Sequence, residues 1–164
     1  MDTLKLEEHV EKTGSVINFP GTEAITNEEI LLLDCDILIP AAVQSVIHDG
    51  NVEKIKAKLI AEGANGPITT SAEKVLLDRD VTIIPDVVAN CGSAIVCPFE
   101  RTQGLTDDYW DIDTVNTRME QRILKAYQEA VATAKEFKTR SIRNGAWIFA
   151  LKKIERAMKL RGMV

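Results

Sequence analysis

Leu59-Ile60-Ala61-Glu62-Gly63-Ala64-Asn65-Gly66-Pro67 carries a short apolar run into a turn that holds an Asn. One helix length later Ile83-Ile84-Pro85-Asp86-Val87-Val88-Ala89-Asn90 repeats the design, and upstream Ile39-Pro40-Ala41-Ala42 closes a third apolar run. Strand ends of this kind are where an open α/β sheet receives its ligand, because small side chains let the backbone approach while an amide points outward. The reading places three strands near residues 35–39, 58–61 and 81–84. Strands joined over helices return in the same direction, so the sheet is expected to be parallel with right-handed crossovers. The fold class is α/β: a partial, Rossmann-type three-layer arrangement followed by a C-terminal helical segment.

Around this centre the pattern alternates. Leu4 to Thr13 reads as a short charged helix ended by Gly14, and Thr26 with Glu29 three residues on forms a capping-box start for a helix through Leu33. Cys35 stands at the head of an apolar run, where a small buried filler is expected. Asp49-Gly50-Asn51 interrupts the apolar positions between Val43 and Lys56, which predicts a short helix, a turn, and a second short helix or loop. Thr70 is placed to cap a helix from Ser71 to Asp78, with Glu73 at the capping-box position.

Beyond Asn90 the strands stop. Cys91 to Thr102 reads as an apolar helix, Gly104 to Trp110 as a loop, and Asp111 as the N-cap of a long amphipathic helix. Its apolar positions Ile112, Val115, Met119, Ile123, Tyr127, Ala130, Ala134 and Phe137 step by three or four, the helical period. A last helix from about Ser141 carries Ala146, Trp147, Ala150, Ile154, Ala157 and Met158, a stripe expected to be core and helix–helix contact rather than a ligand box.

Composition bounds the function. The chain has 164 residues, 45% hydrophobic and 27% charged, enough for one core, and its apolar runs fall far short of a membrane span. A net charge of −5 argues against a nucleic-acid surface while leaving small anionic ligands open. Cys35, Cys91 and Cys97 are odd in number without CxxC spacing, and the two His residues lie near none of them, so neither a disulfide framework nor a zinc site is expected. No nucleic-acid or membrane partner, and a cytoplasmic location, are the resulting expectations.

The particular words go further. Thr13-Gly14-Ser15 with Phe19-Pro20-Gly21, Ile39-Pro40-Ala41-Ala42, Ala61-Glu62-Gly63-Ala64-Asn65-Gly66-Pro67, Ile84-Pro85-Asp86-Val87-Val88-Ala89-Asn90, Tyr109-Trp110, and Ala157-Met158-Lys159-Leu160-Arg161-Gly162 occur in this order across nearly the whole chain. The chain resembles the C-terminal half of glutamate dehydrogenases, within the wider group of glutamate, leucine, phenylalanine and valine dehydrogenases. The resemblance implies an NAD- or NADP-dependent oxidoreductase. Hydride leaves the amino-acid Cα for the cofactor, and the resulting imine is hydrolysed to a 2-oxo acid and ammonia. It implies residues 1–90 as part of the cofactor domain and residues 91–164 as helices that return to the substrate domain. A homo-oligomer, hexameric in the family, is implied for the intact enzyme.

The family's GxGxxG phosphate turn, acidic ribose ligand and catalytic Lys and Asp do not occur in this sequence. The chain is therefore expected to be a piece of a longer protein, inactive alone, with no catalytic residue of its own. A non-catalytic subunit that pairs with a partner carrying the other half is the alternative.

Within the resemblance, cofactor binding falls to Ala41, Ala42, Gly63, Asn65 and Asn90. Ala41 and Ala42 leave room for a flat ring or ribose, or are ordinary small residues of a strand-to-helix turn. Asn65 offers one acceptor and two donors to a ribose hydroxyl or carboxamide, or is a turn residue helped by Gly63 and Gly66. Asn90 sits where nicotinamide and substrate would meet, and its matching family residue contacts both; its plain alternative is a helix N-cap. Glu62 and Asp86 are expected to support the structure rather than to transfer protons. Cys97 stands where many glutamate dehydrogenases have the Ser that helps hold the substrate's side-chain carboxylate. A thiol is the weaker donor, so another amino acid becomes an alternative substrate. Ser93, Pro98 and Arg101 also depart from the usual Gly, Tyr and Trp, and Pro98 would disturb a helix interior.

Overall fold

Three short strands, β1 (Ile37–Leu38), β2 (Leu59–Ala61) and β3 (Thr82–Ile84), form a parallel sheet in that order in the computed structural model, which describes residues 2–163. Ile37 pairs with Leu59, and Ile60 with Ile83. All three strands are shorter than the sequence predicts, for local reasons. Pro40, without an N–H, stands two residues past the end of β1, and the Val81 N–H is taken by the Leu76 carbonyl at 3.0 Å in the turn after the preceding helix. Cys35 lies ahead of β1 and is half-exposed, not the buried filler expected.

The connection after β1 also differs from expectation. Residues 45–47 pass beside 66–69, Ser45 in a turn with a left-handed φ of 55° and Ile47 bridged to Ile68, with the Ser45 N–H donating to Gly66 O at 2.9 Å and the Thr69 N–H to Ile47 O at 3.0 Å. An Asn51 side chain that accepts from the His48 N–H at 2.9 Å then turns the chain into a 3₁₀ turn at Val52–Lys54. Arg79 donates to the Val52 and Ile55 carbonyls at 2.8 and 2.6 Å and ties this turn down. Ile47, Ile55, Ile60 and Leu76 are fully buried, each contributing roughly 1.5–3 kcal/mol by leaving water.

The helices α1 (Thr3–Thr13) and α2 (Asn27–Leu31) belong to one unit, Met1–Leu33, and everything else to a second, Asp34–Val164. In the first unit Gly14 ends α1 with a left-handed φ of 75°, and Thr26 and Glu29 form the expected capping box. In the second, α3 (Thr70–Asp78) is capped by Thr69, not Thr70. That one-residue shift takes Glu73 out of the capping-box position and leaves its carboxylate free for other partners.

A four-residue α4 (Asp86–Ala89) follows β3, and α5 (Gly92–Thr106) continues through Gly104 where a loop was expected, ending at Asp107 with a φ of 53°. Pro98 lies inside α5 and withholds the N–H that would reach the Ala94 carbonyl. Asp111 caps α6 (Ile112–Glu136), accepting from the Thr114 N–H at 2.7 Å, and Ser141 caps α7 (Ile142–Leu160). These two helices pack where Gly145 meets Ala130 and Ala134, all buried. A Cβ on Gly145 would stand 2.2 Å from the Ala130 carbonyl oxygen, so only glycine permits this approach. The apolar stripe of α7 was expected to be core, yet Trp147, Leu151 and Ile154 are more than half exposed. Among the described residues no helix is long and apolar enough to cross a membrane.

Candidate functional site

The carboxyl ends of all three strands open into one cleft of about 590 Å³, within the usual range for small-molecule sites. Its lining includes Ala41 and Ala42 after β1, Gly63, Ala64 and Asn65 after β2, and Asn90 after α4, with Cys91, Ser93 and Ala94 at the start of α5. All five residues assigned to cofactor contact thus share one wall, although 49 positions separate Ala41 from Asn90. Gly63 keeps that convergence uncrowded: a Cβ there would lie 3.0 Å from the Ala41 Cβ, close enough that the neighbour would have to give. The Ala64 N–H, bonded to the Pro40 carbonyl at 2.9 Å, keeps the two strand ends together.

The two asparagines meet. Asn90 Nδ2 donates to Asn65 Oδ1 at 2.7 Å and reaches the Gly63 carbonyl at 3.4 Å. Asn90 is therefore no N-cap; it ends α4, and its amide bridges strand ends. Asn65 Nδ2 and Asn90 Oδ1 have no hydrogen-bond partner among the described residues, leaving an amide NH2 with two N–H donors and one acceptor oxygen for a ligand. Cys97 is not part of this lining. It lies one helical turn beyond Ser93 on α5, exposed.

Behind the cleft lies a charged cluster that no local sequence pattern announces. Glu62, directly after β2, is fully buried, and its Oε2 accepts the Asp86 backbone N–H at 2.7 Å and a guanidinium N–H of Arg143. Asp86 Oδ2 accepts the Gly66 N–H at 2.8 Å, while its Oδ1 accepts from Arg143 and from the Val87 N–H. Glu73 accepts from Arg143 Nε at 2.8 Å and from the Ser141 hydroxyl at 2.7 Å. Glu62 and Asp86, expected to support the structure, are both engaged by Arg143, a cation the sequence reading did not include. The three carboxylates lie 57 to 81 positions from Arg143, beyond any local signal. The available clue was Glu62 itself, a carboxylate among apolar and small residues, which a buried site accepts only with a partner.

The cluster sets the ionisation of its members in opposite directions. Burial pushes the Glu62 carboxyl above its ordinary range in spite of the Asp86 N–H and Arg143. Burial alone would also raise Asp86, but the Gly66 N–H, Arg143 and the Val87 N–H outweigh it and hold that carboxyl low. Arg143, despite burial, is kept charged by Glu73 and Glu62. Glu62 Oε1 remains buried without a partner. A larger hollow of about 750 Å³ lies over α3 and the turn before α7, with Glu73 and Arg143 of the cluster in its lining.

The pattern that defines the Glutamate/Leucine/Phenylalanine/Valine dehydrogenase family matches residues 1–162. A glutamate dehydrogenase of Thermotoga maritima is 39% identical over 162 residues, covering 99% of this chain and 39% of the relative. An NAD-specific glutamate dehydrogenase A of Halobacterium salinarum is 40% identical over 165 residues, covering 99% of this chain and 37% of the relative. An NADP-specific enzyme of Saccharolobus shibatae is 39% identical over 168 residues, covering 100% and 39%. The chain therefore spans about two fifths of the length of these relatives. Among solved structures, glutamate dehydrogenase from Peptoniphilus asaccharolyticus superposes with a TM-score of 0.82 at 29% identity, over 100% of this chain and 36% of that one. The match of words in the sequence, of the parallel sheet and of nearly every residue to one pattern leads to a single conclusion: the chain belongs to the Glutamate/Leucine/Phenylalanine/Valine dehydrogenase family.

Proposed function

We propose that this chain forms one wall of the nicotinamide-cofactor cleft of an amino-acid dehydrogenase, glutamate being the first substrate to test. The convergence of Ala41, Ala42, Gly63, Asn65 and Asn90 at the carboxyl ends of parallel strands carries the reading. The donor set fits: Asn65 Nδ2 and Asn90 Oδ1 are free for a ribose hydroxyl or carboxamide, and the alanines leave room for a flat ring. Relatives named NAD-specific and NADP-specific support either cofactor.

The reaction is oxidative deamination of an amino acid to a 2-oxo acid and ammonia, and the bound nicotinamide would supply the hydride acceptor. The protein's own part is positional. Asn90, locked to Asn65, presents its amide at a fixed place, and the close approach at Gly63 keeps the strand ends from opening. Residues 1–90 are assigned to the cofactor domain and 91–164 to helices that meet the substrate domain. The exposed apolar face of α7 and a solved hetero-hexameric relative from Thermus thermophilus support assembly with further subunits.

Calorimetric titration of NAD+ and NADP+ into the purified chain, with Asn90→Ala alongside, tests the reading. Saturable binding that the substitution weakens is expected, and no binding at millimolar cofactor overturns it. Cys97 favours a second reading, an amino acid other than glutamate, because an exposed thiol replaces the hydroxyl usual in glutamate dehydrogenases. Turnover of leucine, valine or phenylalanine above glutamate by the full-length enzyme would establish it.

A further inference from the structure

Arg143 stands on α7, outside the cleft lining, yet its bonds lead to both asparagines. One guanidinium N–H holds Glu62 Oε2, whose second bond is to the backbone N–H of Asp86. Another reaches Asp86 Oδ1 at 2.5 Å, while Asp86 Oδ2 takes the Gly66 N–H at 2.8 Å. The loop 62–66 and the start of α4 are thereby stitched together twice, once through each carboxylate. Asn65 lies on the stitched loop. Asn90 is fixed to α4, its backbone N–H donating to Asp86 O at 3.0 Å. The Asn65–Asn90 bond of 2.7 Å spans the gap between those two stitched segments.

The charge balance makes the cation necessary to this arrangement. Glu62, Glu73 and Asp86 converge on a single guanidinium, and Glu62 is 0% exposed. Remove or misplace the guanidinium, and carboxylates on the loop after β2, on α3 and on α4 face one another in a poorly solvated place, where like charges repel strongly. The segments would separate at the loop 62–66 and α4, the two that carry the amides. A planar fork of five N–H donors can serve three carboxylates at once, whereas an ammonium on a flexible stem is a point charge with no such fixed geometry.

We propose that Arg143 is a positioning residue for the cofactor cleft: through Glu62 and Asp86 it sets the separation at which Asn65 and Asn90 meet and present their amides. The role rests on the cofactor reading above, and it makes α7 a lever on the strand ends. Whatever displaces the first turn of α7 would reach the cofactor amides through two hydrogen-bonded carboxylates.

The test is Arg143→Lys in the full chain, read by side-chain amide NMR signals of Asn65 and Asn90, amide exchange at Gly66 and Asp86, and NAD+ and NADP+ titration. The variant is expected to stay folded, to lose the distinct signals of the paired amides, to exchange faster at Gly66 and Asp86, and to bind cofactor about tenfold more weakly. Ile55→Val, a core loss away from the cluster, lowers stability alone and is expected to leave all of these unchanged. Should Arg143→Lys unfold, Glu62→Gln decides, expected to fold with the same signals shifted. A folded variant of either kind with the Asn65–Asn90 signals intact overturns the proposal. Unfolding of both overturns it too, since the cluster would then serve stability as a whole. If the wild-type chain binds neither cofactor, the cofactor reading fails, while the amide signals still judge the positioning role.

Discussion

The first turn of α7 and the stretch beyond it reverse the usual relation between polarity and burial. At the start a charged Arg143 sinks among Glu62, Glu73 and Asp86, while Trp147, Leu151 and Ile154 lie open to water. The first turn is organised for this chain's own fold, because its charge is answered from the loop after β2, from α3 and from α4. The stretch from Trp147 onward has apolar surface that nothing among the described residues covers, the pattern of a contact surface. Burial here follows partners, not residue type.

Five variants would break or sharpen that contrast. Arg143→Gln should cost the most, about 3 kcal/mol in urea unfolding, because it strands three carboxylates in a protected place. A loss below 1 kcal/mol would mean that water already screens the cluster. Gly145→Ala should cost about 2 kcal/mol, since its Cβ would collide with the Ala130 carbonyl and push α6 and α7 apart. An unchanged midpoint would show that the helices slide without penalty.

The pH dependence separates the buried Glu62 from the half-buried Asp86. Glu62 has its folded value raised above the usual 4.5, so the folded state binds the extra proton and this group's contribution weakens as pH rises from 4.5 through the raised value. Asp86 is lowered from 3.8; its contribution is present above that value and is lost as pH falls through the depressed one. Glu62→Gln should therefore flatten the stability profile on the weakly acidic side, and Asp86→Asn only at the strongly acidic end. Identical profiles for the two variants would refute independent roles. Trp147→Ser with Ile154→Ser should change stability least, within about 0.5 kcal/mol, while reducing self-association in light scattering. A marked loss of stability would place this face inside the fold after all.

Much of this could be read from the chain. Parallel strands ending ahead of Pro40 and at Ala61 and Ile84 followed from three apolar runs spaced by helices, and the caps Thr26 and Asp111 sit where short polar side chains precede helical periodicity. Two of the misreadings share a cause. Thr69 rather than Thr70 caps α3, and residues 45–47 line up beside 66–69 instead of coiling, where the Ser45, Ile47 and Thr69 N–H groups bond across the two segments, partners that local propensity does not contain. Ala41, Ala42, Gly63, Asn65 and Asn90 were legible as separate signals because strand-end chemistry is local.

The amino-acid sequence by itself determined the family, the α/β grammar and the identity of the amides, since these depend on residue types at short spacing. Only the tertiary structure decided that Asn65 bonds Asn90, that Arg143 gathers three distant carboxylates, and that Trp147, Leu151 and Ile154 on α7 stay bare. Those outcomes depend on which surfaces meet across 25 to 81 positions of chain, where packing and desolvation, not local periodicity, choose the partners.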